Sequence, residues 1–171
     1  MAHTVLVVPV PELEPYVLGR THHYDASFVS ADPAFVHAHI TALGPFVAEP
    51  SDEDLARVGE VARRTPAFDF DLARLGEFPD GTIHLLPDPD DPFRELTARL
   101  VQAFPECPPY GGAVPDPVPH LTLDRRADGI DRASVGSALG DTMPARCRAD
   151  RLALHRYANH GCRVLAEWKL P

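Results

Sequence analysis

The feature that most constrains this chain is a short stretch that occurs twice. Val36-His37-Ala38-His39-Ile40-Thr41-Ala42-Leu43 returns about 80 residues further on as Val118-Pro119-His120-Leu121-Thr122-Leu123. Each copy is His-apolar-Thr inside an apolar, β-prone run. Side chains alternate faces along a strand, so His39 and Thr41 share one face while Ile40 points inward, and His120 and Thr122 share one while Leu121 points inward. Each copy therefore offers an imidazole and a hydroxyl side by side. A hydroxyl donates to a phosphoryl oxygen and an imidazole moves a proton, so the pairing suits a phosphate. One His-x-Thr is weak evidence in a chain with nine histidines; repetition in matched surroundings carries the argument.

Those surroundings repeat as well. Thr4 to Val8 reads as a first strand, Pro11 to Tyr24 as a segment with a short helix, and Gly44-Pro45 ends the strand of the first motif. Ser51 before three acids starts a helix over 52–64, and Phe68, Phe70 and Leu72 alternate with polar residues before the Pro79-Asp80-Gly81 turn into Thr82–Leu86, a β-hairpin. Asp91-Pro92 opens a second helix whose Phe93, Leu96 and Leu100 recur at helical spacing until Pro105. A proline- and glycine-rich connector over 105–119 then delivers the chain to His120. From there the order returns: a helix near 131–142, a strand over 148–157, a turn at Asn159-His160-Gly161 and a last strand over 163–170. The expected architecture is α+β, one bilobal domain over 1–171 with motif strands at 36–43 and 118–123. Each lobe is an antiparallel sheet with flanking helices, and the lobes meet at a pseudo-twofold with His39 and His120 facing across a cleft.

Composition narrows the function classes. With 25 acidic against 16 basic residues the formal charge is −9, so a basic track for a long nucleic acid is not expected, whereas a small nucleotide or a nucleic-acid end held by one or two arginines is compatible. Lys169 is the single lysine and lies near the C-terminus, which leaves a lysine nucleophile poorly supplied. Three cysteines without Cys-x-x-Cys spacing argue against a disulfide framework or a zinc knuckle. No run is long enough for a membrane helix, and the expectation is a cytoplasmic protein with no cofactor; oligomeric state is not encoded in any recognisable pattern.

At this point the chain resembles the 2H phosphoesterases, which include bacterial 2′-5′ RNA ligase-like proteins and RNA 2′,3′-cyclic phosphodiesterases. The resemblance rests on His39-Ile40-Thr41 followed by Gly44-Pro45-Phe46, on Phe104-Pro105 ahead of Pro119-His120-Leu121-Thr122-Leu123, and on the terminal Trp168-Lys169-Leu170-Pro171. Arg125 matches a basic position common in the RNA-processing branch. The resemblance implies opening of a 2′,3′-cyclic phosphate to a 2′-phosphate, with a small cyclic-phosphate nucleotide or RNA end as partner.

The chemistry expected of the pair is in-line displacement, one histidine neutral as base and the other protonated as acid, which requires no metal. Thr41 and Thr122 would hold the non-bridging oxygens and Arg125 would neutralise developing charge. Tyr157, by stacking on a base, and Tyr110, from the connector, are further candidates for substrate contact. His37 shares a face with His39 but lacks acids or cysteines at ligand spacing. His22-His23 are expected in a solvated loop, and His84, His155 and His160 at surface or turn positions on hairpins. Two alternatives remain beside the phosphodiesterase: an ATP-independent 2′-5′ RNA ligase, and a non-catalytic nucleotide- or RNA-end-binding module. The absence of a Gly-x-x-x-x-Gly-Lys loop disfavours an ATP-dependent ligase.

Overall fold

The computed structural model describes residues 2–171. Its eight strands form two four-stranded antiparallel sheets, and four α-helices flank them. The first sheet runs β2 (His39–Leu43), β1 (His3–Pro9), β7 (Arg151–Tyr157), β8 (Arg163–Lys169); the second runs β5 (Leu121–Arg125), β4 (Thr82–Asp88), β3 (Phe68–Glu77), β6 (Ala145–Ala149). The two motif strands, β2 and β5, are thus each the end strand of a sheet, and they touch where the sheets meet.

The sheets are not the two halves of the sequence. The β3–β4 hairpin, which follows the first motif, pairs with β5 of the second, and the β7–β8 hairpin, which follows the second motif, pairs with β1 and so joins the sheet of the first. Each sheet therefore joins one motif strand to the other repeat's hairpin, directly at β5 and through β1 at β2, which ties the lobes together through non-local pairing. The single strand expected over 148–157 is two strands, broken at Asp150, one in each sheet. The burial pattern gives the reason. In β6 the buried residues alternate, Ala145, Cys147 and Ala149, as suits a strand with one wet face, whereas Leu152 to His155 are buried in succession, as suits a central strand covered on both faces.

The helices close the core. Helix α2 (Asp52–Arg63) starts with a reciprocal capping box between Ser51 and Asp54 and buries Val58, Val61 and Ala62. Helix α3 (Asp91–Ala103) buries Phe93, Leu96 and Leu100, packing against α2 and β2. Helix α4 (Arg132–Leu139) is shorter than the expected 131–142, because Gly140, at φ +50°, ends it ahead of a 3₁₀ turn. Helix α1 (Glu14–Asp25) is longer than expected: His22 and His23 lie in its last turn, exposed, and not in a loop. It crosses from the first sheet to lie on β5. None of the helices among the described residues is long and apolar enough to cross a membrane.

Candidate active site

Ile40 and Ala42 on β2, and Leu121 and Leu123 on β5, anchor the motif strands in the core. Strand alternation then turns His39, Thr41 and Thr122 to one cavity of about 530 Å³ between the lobes, and His120, immediately before β5, joins them. Arg125 and Tyr157 line the same cavity.

The two motif imidazoles are held alike. His39 Nδ1 lies 2.8 Å from the carbonyl of His37, and His120 Nδ1 lies 2.7 Å from the carbonyl of Val118. A carbonyl only accepts, so each Nδ1 carries its proton and donates it, and each Nε2 remains for chemistry, as acceptor when the ring is neutral and donor when protonated. Burial pushes both groups below the usual histidine range; backbone bonding to His37 opposes this at His39, and His120 adds like-charge repulsion there. Both rings are therefore neutral near pH 7 in the free protein. A bound phosphate, being anionic, favours protonation of one of them.

The remaining expected residues divide. The Arg125 guanidinium donates to the Asp80 carbonyl, 3.2 Å away, at the cavity wall. The Tyr157 hydroxyl lies 3.5 Å from His39 Nδ1, beside the ring and not free to serve only as a stacking platform, since His3 already stacks on it at 5.3 Å. Tyr110 is not in this cavity. Its backbone N–H is fixed on the Gly44 carbonyl at 2.7 Å, in a left-handed turn at φ +52°, which places the ring in a neighbouring pocket that shares Thr41 with the cavity. His37 is a tether: its Nε2 accepts from the Ser30 N–H at 3.1 Å and its backbone N–H donates to Glu14. His84 and His155, expected at the surface, are instead 2% and 0% exposed and lie behind the motif rings. His160 does occupy a turn, and it, not Gly161, takes the left-handed conformation.

One cluster lies outside every expectation drawn from the sequence. Asp124, two residues after Thr122 and 5% exposed, receives the Tyr16 hydroxyl at 3.3 Å, the Tyr24 hydroxyl, the Arg125 N–H at 2.9 Å and an ion pair with Arg20 Nε at 2.6 Å. Burial pulls its carboxyl up, but the bonds from Tyr24, the Arg125 N–H and Arg20 outweigh it and leave it below the usual carboxylate range. Tyr16, Arg20 and Tyr24 recur every fourth residue on one face of α1, and Asp124 continues the cavity-facing alternation of β5; those two spacings were the available signal. Because Arg20 is paired, Arg125 is left as the cavity arginine with no carboxylate within ion-pair distance among the described residues. No group of three or more His, Cys, Asp or Glu among them is arranged to hold a metal ion.

The sequence matches the model of a known family, described as the 2′-5′ RNA ligase superfamily, over residues 9–161. The chain belongs to this superfamily. Its fold is that of 2H phosphoesterases: the Escherichia coli LigT structure complexed with 3′-AMP is similar at 17% identity and TM-score 0.64, covering 98% of this chain and 97% of that one. The protein TT0787 of Thermus thermophilus is similar at 20% identity and TM-score 0.64, with the same coverage of each. A structure described as a phosphoesterase is similar at 18% identity and TM-score 0.61, covering 98% of this chain and 97% of that one. Among curated protein sequences, none matches the chain significantly.

Proposed function

We propose that the chain is a phosphodiesterase that opens a 2′,3′-cyclic phosphate, on a nucleotide or an RNA end, to a 2′-phosphate by two-histidine acid–base catalysis. The observation that carries this reading is the matched pair of imidazoles on one cavity, each with Nδ1 fixed on a carbonyl two residues back and each beside a threonine. In-line attack needs a base on the side where water enters and an acid on the opposite side. One neutral Nε2 takes the proton of the attacking water, and the new P–O bond forms as the bond to the 3′-oxygen breaks. The other ring, protonated, gives that oxygen its proton, leaving the phosphate on the 2′-oxygen. The rings then exchange protons with solvent to reset. Thr41 and Thr122 donate to the non-bridging oxygens, and Arg125 neutralises the charge that develops on them.

The scheme calls on no metal or nucleotide cofactor. Support for a small nucleotide comes from LigT, crystallised with 3′-AMP, with ATP and with NADP⁺. The net charge of −9 and the single unpaired cavity arginine favour a substrate with one phosphate at the reacting centre over a long polyanion. Incubation with a 2′,3′-cyclic mononucleotide in EDTA, followed by phosphorus NMR of the product, tests the reading. A 2′-phosphate is expected; a 3′-phosphate, or no turnover of mononucleotide or of a cyclic-phosphate RNA end, would overturn it.

A further inference from the structure

Behind each motif imidazole lies a second, buried one. His84 on β4 is 2% exposed, stacks on Phe78 at 3.9 Å and meets the His120 ring edge-on at 5.5 Å; Phe78 itself meets His120 at 4.8 Å. His155 on β7 is fully buried, stacks on Phe35 at 4.2 Å and meets the His39 ring edge-on at 6.3 Å. The stacking angle is 25° in both cases. The two arrangements are reached by different routes, His84 from the strand next to β5 and His155 from a strand one further from β2. They are therefore not a by-product of repeated strand order.

An apolar side chain would fill the place of His155 at lower cost, whereas His84 Nδ1 donates to the Thr82 carbonyl at 3.1 Å, two residues back as in the motif rings. His155 Nε2 is buried without a hydrogen-bond partner, which a phenylalanine would avoid. His84 further demands a glycine: on the paired strand, a Cβ at Gly76 would stand 2.5 Å from His84 Nε2. We propose that His84 and His155 are positioning residues, each fixing the plane of the motif imidazole in front of it and presenting an uncharged aromatic ring to the imidazolium formed there during turnover. Deepening the two-histidine reading, this assigns a role to two residues that touch no substrate.

The contact is suited to the task. An imidazolium is favoured beside a neutral aromatic ring and disfavoured beside a second cation, and burial keeps both rear rings neutral; His155 is pushed down to about 3 by burial and by the neighbouring His39 and His37. The charged and titratable groups facing His155 are His37, His39, Arg151, Asp32 and Tyr157, whose hydroxyl lies 3.5 Å from His155 Nδ1, and those facing His84 are His120 and Asp80. Near neutral pH Arg151 and Asp32 offset one another around His155, and Asp80 is the charged member around His84.

Four kinds of change test the proposal: His84→Leu, His155→Leu, the aromatic replacements His84→Phe and His155→Phe as rescues, and Gly76→Ala, which displaces the His84 ring without changing it. The leucine variants and Gly76→Ala should lose about ten- to a hundredfold in kcat with KM within about threefold, and the phenylalanine variants should recover most of it. Titration of the His39 and His120 ring signals by NMR needs no turnover, so it decides the matter even if cyclic nucleotides are not hydrolysed. His84→Leu and Gly76→Ala should lower the pKa of His120 alone, and His155→Leu that of His39 alone. Should a leucine variant fail to fold, Gly76→Ala and the phenylalanine pair carry the test. Titrations unchanged from wild type, or both rings shifting together whichever residue is changed, would overturn the assignment.

Discussion

Replacing Asp124 by asparagine removes a charge that four groups are arranged to meet, and the structure sets the scale of the loss. The carboxylate accepts from Tyr16, Tyr24 and the Arg125 N–H and is paired with Arg20 at 2.6 Å. Asparagine keeps one acceptor oxygen but turns an NH₂ toward donors, so Arg20 is left without its counter-charge. Breaking a buried pair from one side costs about 3–5 kcal/mol. The Arg20 side chain is 26% exposed and recovers part of its hydration, which brings the expectation to about 2–3 kcal/mol. At a urea dependence of about 2 kcal/mol per molar, the unfolding midpoint should fall by about 1–1.5 M with the slope unchanged. A double-mutant cycle with Arg20→Gln should return a coupling of at least about 1 kcal/mol. Because the folded-state pKa of Asp124 is depressed, its contribution is present above about pH 4 and is lost as pH falls through that lower value, so wild type and Asp124→Asn should converge in stability in strong acid. A midpoint shift under about 0.2 M at neutral pH, with no coupling to Arg20, would refute the view that this cluster clamps α1 onto β5.

Three further outcomes follow from the cavity. Thr41→Val or Thr122→Val keeps the strand shape but deletes one bond to a charged oxygen, about 1.5–3 kcal/mol, so kcat/KM should fall roughly ten- to a hundredfold in steady-state assays. The pH dependence of kcat/KM should be bell-shaped with its optimum below about 6.5, because both rings are depressed by burial and activity is lost as the acid deprotonates on the alkaline side and as the base protonates on the acid side; an optimum above about 7.5 would contradict this. Binding of a cyclic mononucleotide should weaken only mildly with salt, with the slope of one or two phosphate contacts, and a slope of about six would reveal a nucleic-acid track elsewhere.

The motif faces were legible because strand alternation is a local rule, and Ile40 and Leu121 obey it. The helix at 52 was legible from its Ser51 cap and that at 91 from its apolar spacing, Asp91 lying inside the second helix and Asp90 taking the cap position without a side-chain bond. What the sequence did not reveal is non-local. Nothing in the runs from Phe68 to Leu86 or from Arg151 to Lys169 says which motif strand's sheet they will join, so the exchange of hairpins between lobes was invisible, and the β-prone residues on both sides of Asp150 concealed a crossing between sheets. His84 and His155 read as surface groups because imidazoles are commonly exposed; His155 is covered by Phe35, far from it in sequence, and His84 by Phe78 across its own hairpin, a contact the alternation pattern does not announce. The position of Tyr110, in the pocket that shares Thr41 with the cavity, is set by a left-handed turn, which at a tyrosine carries no composition signal. Asp124 with Tyr16, Arg20 and Tyr24 was within reach, since both the helix spacing and the strand alternation were on view.

The central claim is that His39 and His120 act as one unit, and kinetics of His39→Ala, His120→Ala and the double variant on a 2′,3′-cyclic nucleotide, with chelator present throughout, test it most directly. Each single change removes a proton transfer worth about 10²- to 10⁴-fold, and once either partner is gone the concerted path is closed. Each single variant should therefore lose at least about a hundredfold in kcat, and the double variant should lose far less than the product of the two. Either single variant turning over at the wild-type rate, or a wild-type rate abolished by chelator and restored by a divalent ion, would contradict the account.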